Sequence, residues 1–279
     1  MKRSFDPYFD EGGLISTTFD GVNFDGGDSA QKTGLLRFGR YLQYENNPEL
    51  LERESAKFNQ ELDMLEDPNR KNWYVRNPKK DSWWSNSLNF SRDQHRSVTI
   101  AMGAFKQKKR LLGALWEHIK RFGFYQNKLK HDGTNKIVGD LCSPSDWGEW
   151  LRALVHSGMW GFAILYPLLL ISDAWAILGI LVSQLNWKHP DDADDDNLIM
   201  SLLQAKYVMP TPLSYLARKL YVKTRPIAGY TDETKEINLR SITDMTGPQS
   251  ALAWKHRLAT GAPPFYENIY KEIMEREGL

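Results

Sequence analysis

From Met159 to Leu185 the chain carries a single formal charge, Asp173. A segment of that kind has two homes, a lipid bilayer or the interior of a large fold, and the rest of the chain is built around whichever it takes. Its length admits a membrane span, which needs about 20 apolar residues. Three features favour the interior. Pro167 and the Ser172–Asp173 pair interrupt the run, leaving two pieces of roughly 13 residues each, short for a span. A charge at mid-membrane costs of order 3 kcal/mol. The flanks also lack a basic cluster: Asp191, Asp192, Asp194, Asp195 and Asp196 follow, with only Lys188 on the near side. The expectation is a buried core hairpin forming the spine of the fold, with no membrane insertion.

A chain of 279 residues can cover such a hairpin, and 41% hydrophobic with 25% charged residues is globular usage rather than disorder. Lys plus Arg is 36 against 35 for Asp plus Glu, a net charge of +1, so no global field attracts nucleic acid and none is expected as a partner. Cys142 is the only cysteine, which excludes an intramolecular disulfide and a Cys-based zinc site. The start, Met1-Lys-Arg-Ser-Phe-Asp-Pro7, lacks the apolar run of a secretory signal, so cytoplasmic synthesis is expected. Release by lysis or association with a virion would need no signal.

Helix-start chemistry recurs along the chain. Residues 1–27, rich in Gly, Asp and Phe, read as an extended lead-in, and 28–279 as one all-helical domain. Asp28-Ser-Ala-Gln31 and Ser91-Arg-Asp-Gln94 are capping-box arrangements, in which the first side chain accepts free backbone N–H groups and the fourth reaches back. Asn47-Pro48-Glu49 and Ser143-Pro144-Ser145-Asp146 put proline at the first helical position. Further starts are read at Asp196-Asn197, Thr211-Pro212, Gly247-Pro248 and Pro263-Pro264. About ten or eleven helices result, with no convincing alternating strand. Short strands could hide at 14–24 or 220–230, and 67–90 reads as a long loop rich in Asn, Pro, Lys and Trp.

Two of these starts hold more than a cap requires. In Phe24-Asp25-Gly26-Gly27-Asp28-Ser29 two carboxylates flank a double glycine, which lets backbone approach a ligand. The cap explains Asp28 but leaves Asp25 unexplained. Trp83-Trp84-Ser85-Asn86 leads through Asn89 to Ser91-Arg92-Asp93-Gln94. Asp93 falls in a first helical turn, where the dipole and free N–H groups favour its ionised form. A carboxylate held ionised suits a base, nucleophile or cation ligand rather than an acid. The paired tryptophans before it suit a sugar-stacking platform, as do Trp73 and Trp147. The plain alternative packs both rings under the loop and gives Arg92 an acidic neighbour. Asp191–Asn197 lacks the glycine and terminal Glu of a calcium loop and reads as a solvated acidic loop. The basic run Lys106–Arg110 reads as a solvated helix start. The six histidines show no HExxH spacing, and no GxSxG, Walker or GxGxxG pattern occurs, so neither metal nor cofactor is expected.

Helical hairpins in series, loops bearing aromatics and acids before successive helices, and an Arg-Asp at a helix start together resemble the six-hairpin (α/α) toroid glycosidases over about residues 20–275. The resemblance implies that inner-helix ends and their loops form a carbohydrate cleft with two carboxylates, Asp93 with Asp25 or Asp28. The Gly-Gly-Asp-Ser-Ala-Gln and Ser-Arg-Asp-Gln elements are also similar to uncharacterised bacterial and phage-borne proteins, which implies no activity. Two functions follow as expectations. One is a glycosidase-like hydrolase with Asp93 as base, Asp25 or Asp28 as partner, Asp140 or Glu149 available as acid, and Trp83, Trp84, Arg92, Asn89 and Trp147 binding sugar. The other is a non-enzymatic structural or binding module, such as a virion or cell-surface assembly component with protein partners.

Overall fold

The computed structural model describes residues 29–75, 92–122, 125–129, 137–141, 144–186, 201–202 and 204–224. The lead-in 1–27 and the helix starts read at 196–197, 247–248 and 263–264 lie outside the described residues. Within them the chain is mostly helical. The helices are α1 (Ser29–Tyr44), α2 (Pro48–Leu65), α3 (Arg92–Ala104), α4 (Lys108–Phe122), α5 (Pro144–His156), α6 (Tyr166–Asn186) and α7 (Pro212–Thr224). A 3-10 segment, Trp160–Leu165, leads into α6, and residues 201–202 and 204–207 are also helical.

The starts follow local chemistry. Asn47 Oδ1 accepts the Leu50 N–H at 3.2 Å, and Pro48 opens α2 with no N–H to lose. At α7, Thr211 Oγ1 accepts the Ser214 N–H at 3.0 Å while Ser214 Oγ accepts the Thr211 N–H at 3.0 Å, a reciprocal cap.

Helices α1, α3 and α5 run the same way. Gly34 of α1 faces Ser97 of α3, and farther along Tyr41 meets Phe105, just past α3, with ring centroids 5.7 Å apart. Arg96 of α3 pairs with Glu149 of α5, and farther along Gly103 faces Ala153. Low numbers meet low and high meet high, so α1, α3 and α5 are parallel neighbours. α4 runs back against α5: His118, late in α4, lies against Trp147 and Trp150 near the start of α5. A Cβ on Gly34 would overlap the Ser97 carbonyl carbon, and one on Gly103 would come within 2.7 Å of the Ala153 Cα. These helices therefore touch backbone to backbone. Phe38, Phe58, Leu62, Ile100, Met102, Leu111 and Leu154 fill the core around them.

Ion pairs tie the layers together. Arg37 of α1 reaches Glu61 Oε2 of α2 at 2.6 Å and also bonds Glu54, all three being buried. Arg152 of α5 meets Asp173 of α6 through two parallel bonds of 2.9 and 2.7 Å.

Three expectations are corrected. Strands do occur: β1 (Glu66–Asp67) pairs antiparallel with β2 (Arg70–Tyr74), and β3 (Tyr125–Leu129) with β4 (Ile137–Leu141). The first hairpin falls inside the stretch read as a loop. These strands are too short to show alternation, and β2 gains its order by packing on α4, where Gly113 admits the Asn72 side chain. Residues 220–224, read as a possible strand, belong to α7. The apolar run is not a buried hairpin. Pro167 is the second residue of α6, where proline is tolerated, and the helix continues unbroken through Ser172–Asp173. Trp160, Ile164, Leu168, Ile171, Trp175 and Leu178 all face outward.

Candidate functional site

Because α1, α3 and α5 are parallel neighbours, their first turns lie at one end of the domain. Gly34 and Ser97 are each five residues past the first residue of their helices, so the contact between them sits at one level above that end. Arg92 and Asp93 are the first two residues of α3, and Trp147 lies in the first turn of α5. Asp25, Asp28, Trp83, Trp84 and Asn89 lie outside the described residues, as do Cys142 and Asp191–Asn197.

A buried polar cluster fills the space between α3 and α5 just inside this end. Arg96 Nε donates to Glu149 Oε2 at 2.7 Å, and Arg96 Nη2 bonds Glu149 Oε1 and Ser201 Oγ. Ser201 Oγ also donates to Glu149. Asp146 Oδ1 lies 3.8 Å from Arg96 Nε. Burial pushes the Glu149 carboxyl up, and Asp146 adds to this, against the opposing pull of Arg96 and Ser201. Glu149, named from the sequence as an available acid, is thus a buried carboxyl with both oxygens held by Arg96. Asp140 sits in β4 opposite Gln126.

Two imidazoles adjoin the cluster. His118 of α4 lies edge-on to Trp147 with centroids 5.5 Å apart and stacks near Trp150 at 6.5 Å. Burial lowers its pKa to about 4, only partly offset by Asp146. His95 of α3 falls to about 3 through burial and then the nearby charge of His118. Both are neutral at neutral pH, and burial makes both weak proton acceptors there. Trp147 is half-buried and packs against the core. Trp73 is corrected as a sugar platform: it is 1% exposed and packs on His95 at 5.2 Å.

Sequence reasoning missed Arg96, Ser201, His95 and His118. Arg96 and Glu149 are 53 residues apart, and no spacing rule joins them. The opposite end of the helices is different in character. A groove of about 640 Å³ lies there, lined by Lys71, Lys106, Lys108, Lys109, Asp63 and Glu66 among others. The basic run is thus one wall of a mixed-charge groove, with Arg110 bonded to Asp63.

No family model matches the chain, and neither a curated protein nor a solved structure does.

Proposed function

We propose that the chain is a carbohydrate-active hydrolase of the (α/α) toroid kind, with its centre at the end where α1, α3 and α5 begin. The observation that carries the reading is the common direction of these three helices, the relation inner helices of a toroid have to one another. Asp93 is in the first turn of α3, and Asp28 immediately precedes α1. Carboxylates on adjacent helix starts are what glycoside hydrolysis needs, one on each side of the scissile bond. Asp93, favoured as an anion by the helix dipole, serves as base. Asp28 or Asp25 serves as its partner. Trp147, with Trp83 and Trp84, stacks sugar, and Arg92 and Asn89 hold its hydroxyls. Glu149, occupied by Arg96, positions α5 against α3 and leaves the proton transfer to the aspartates.

A second reading, a structural or binding module without activity, is favoured by the same cluster. Arg96, Glu149 and Ser201 satisfy one another, as groups in a purely structural tie do. The test is reducing-end release from a broad polysaccharide panel by wild type and Asp93→Asn, with helicity checked by circular dichroism. The hydrolase reading requires release by the wild type and a loss of about 10²-fold or more in the variant. A wild type inactive on every glycan would overturn it in favour of the module, with the aspartates acting as caps.

A further inference from the structure

Helix α6 has its polarity reversed. In a helix on a water-facing surface the apolar stripe turns inward and the polar face outward. Here the described Ser and Asp side chains are inside. Ser172 and Asp173 are 4% exposed and lie on the face that meets α5 and α7. Asp173 is neutralised by Arg152, and its Oδ2 also accepts the Thr211 hydroxyl at 2.5 Å. Ser172 Oγ fits against Gly148 of α5, where any larger residue would collide with it. The outward stripe runs through Trp160 and Ile164 of the 3-10 segment into Leu168, Ile171, Trp175 and Leu178 of α6, spaced by three and four, and contains no charge. Ile164 is 82% exposed and Trp160 70%. On either side of the stripe the surface remains apolar, through Leu165, Leu170 and Leu181.

We infer that this face rests on the hydrocarbon of a lipid bilayer, with α6 lying along the membrane surface and the remainder of the domain outside it. Two observations point to lipid among possible coverings. Trp160–Leu181 has a mean hydropathy of 2.0 yet is only 22% buried, unlike a core helix of the same composition, while the chain as a whole averages −0.53. Large apolar side chains also stay exposed from Trp160 to Leu181, where a water-facing surface usually scatters such residues singly. In-plane attachment follows from the neighbours. α5 and α7 cover the inner side of α6, and α7 carries the exposed Lys219 and part-exposed Arg218, each near the Tyr215 ring. A spanning α6 would draw these cations toward the hydrocarbon, at a cost of order 3 kcal/mol each. Lying flat, the helix immerses only its outward side chains, about 5–10 Å deep. The indoles of Trp160 and Trp175 suit that boundary, apolar in the ring and polar at the N–H.

The inference is independent of the hydrolase reading and is tested without any glycan. The full chain is floated with phosphatidylcholine vesicles beside the triple variant Ile164→Glu/Ile171→Glu/Leu178→Glu, whose sites are all outward. The wild type is expected to float with the vesicles and the variant to lose at least tenfold in bound fraction at unchanged helicity. Ile171→Cys, made on a Cys142→Ser background and labelled with a polarity-sensitive fluorophore, gives a second readout that does not depend on the triple variant folding. Its emission is expected to shift to the blue on adding vesicles, while the same label at exposed Glu52 stays unchanged. A wild type that is monomeric without detergent and ignores vesicles overturns the inference. So does an oligomer that the triple variant disperses while neither form binds vesicles, because a second copy would then be the covering.

Discussion

Replacing Arg152 with methionine removes the cation that neutralises Asp173 while retaining most of the apolar stem. The two side chains are 3% and 6% exposed, so water cannot take the place of the lost guanidinium. Asp173 keeps its bond from Thr211, but that hydroxyl carries no charge. The Val208 carbonyl also loses the Arg152 Nε donor, which lies 3.2 Å away. Stranding a buried charge in this way costs about 3–5 kcal/mol, and a lost neutral hydrogen bond about 1 kcal/mol more. Against a total stability of about 5–15 kcal/mol, the single substitution leaves a marginal protein. Arg152→Met/Asp173→Leu removes both charges and strands only the neutral groups, so it is expected to cost about 1–2 kcal/mol. The double variant is thus more stable than Arg152→Met alone. Guanidinium unfolding of the wild type, Arg152→Met, Asp173→Leu and the double variant, followed by circular dichroism, reads these differences from the midpoints, provided the slopes agree. A cost below about 1 kcal/mol for Arg152→Met would refute the reasoning, as would a double-variant cost equal to the sum of the singles.

Gly148→Ala puts a Cβ onto Ser172, 2.6 Å from its Cβ, and is expected to cost about 1–3 kcal/mol despite the better helix propensity of alanine. Adding Ser172→Gly clears the overlap, leaving Leu169 Cδ2 at 3.7 Å as the next neighbour, and thermal unfolding should show recovery of part of that loss. Acid should destabilise the fold through its buried imidazoles. His118, 1% exposed, titrates near 4 in the folded chain against about 6.5 unfolded. The unfolded state therefore binds the extra proton between those values, so stability is full above about 6.5 and declines as pH falls toward 4. At about pH 5 this single group costs about 2 kcal/mol. His118→Gln should flatten that part of the stability–pH curve, and an unchanged slope would contradict the assignment.

The helix starts were legible because their chemistry is local. Asn47-Pro48, Ser143-Pro144 and Thr211-Pro212 each announce a helix within three residues, and α2, α5 and α7 begin at Pro48, Pro144 and Pro212. What joins one helix to another was not legible. The Gly34–Ser97 and Gly103–Ala153 contacts that set three helices parallel depend on close approaches between residues dozens of positions apart. The same holds for Arg96, whose partner Glu149 could be singled out as an acid while the cation that holds it could not. Composition alone also could not orient α6. A core helix and a helix with its few polar atoms turned inward present the same apolar run, and only the Arg152–Asp173 pair reveals which side faces the protein. At the proposed site the sequence singled out Asp93 and Trp147. The imidazoles beside Trp147 emerged only once α4 was folded against α5.

The central claim is that the first turns of α1, α3 and α5 form a single carbohydrate site. Hydrogen exchange of the Asp93→Asn variant, with and without oligosaccharides from the panel on which the wild type is tested, examines it most directly. Protection on binding is expected at the starts of all three helices, around Ser29, Arg92 and Trp147, with the Lys106–Arg110 groove unaffected. Protection confined to that groove, or no protection by any oligosaccharide, would contradict the account.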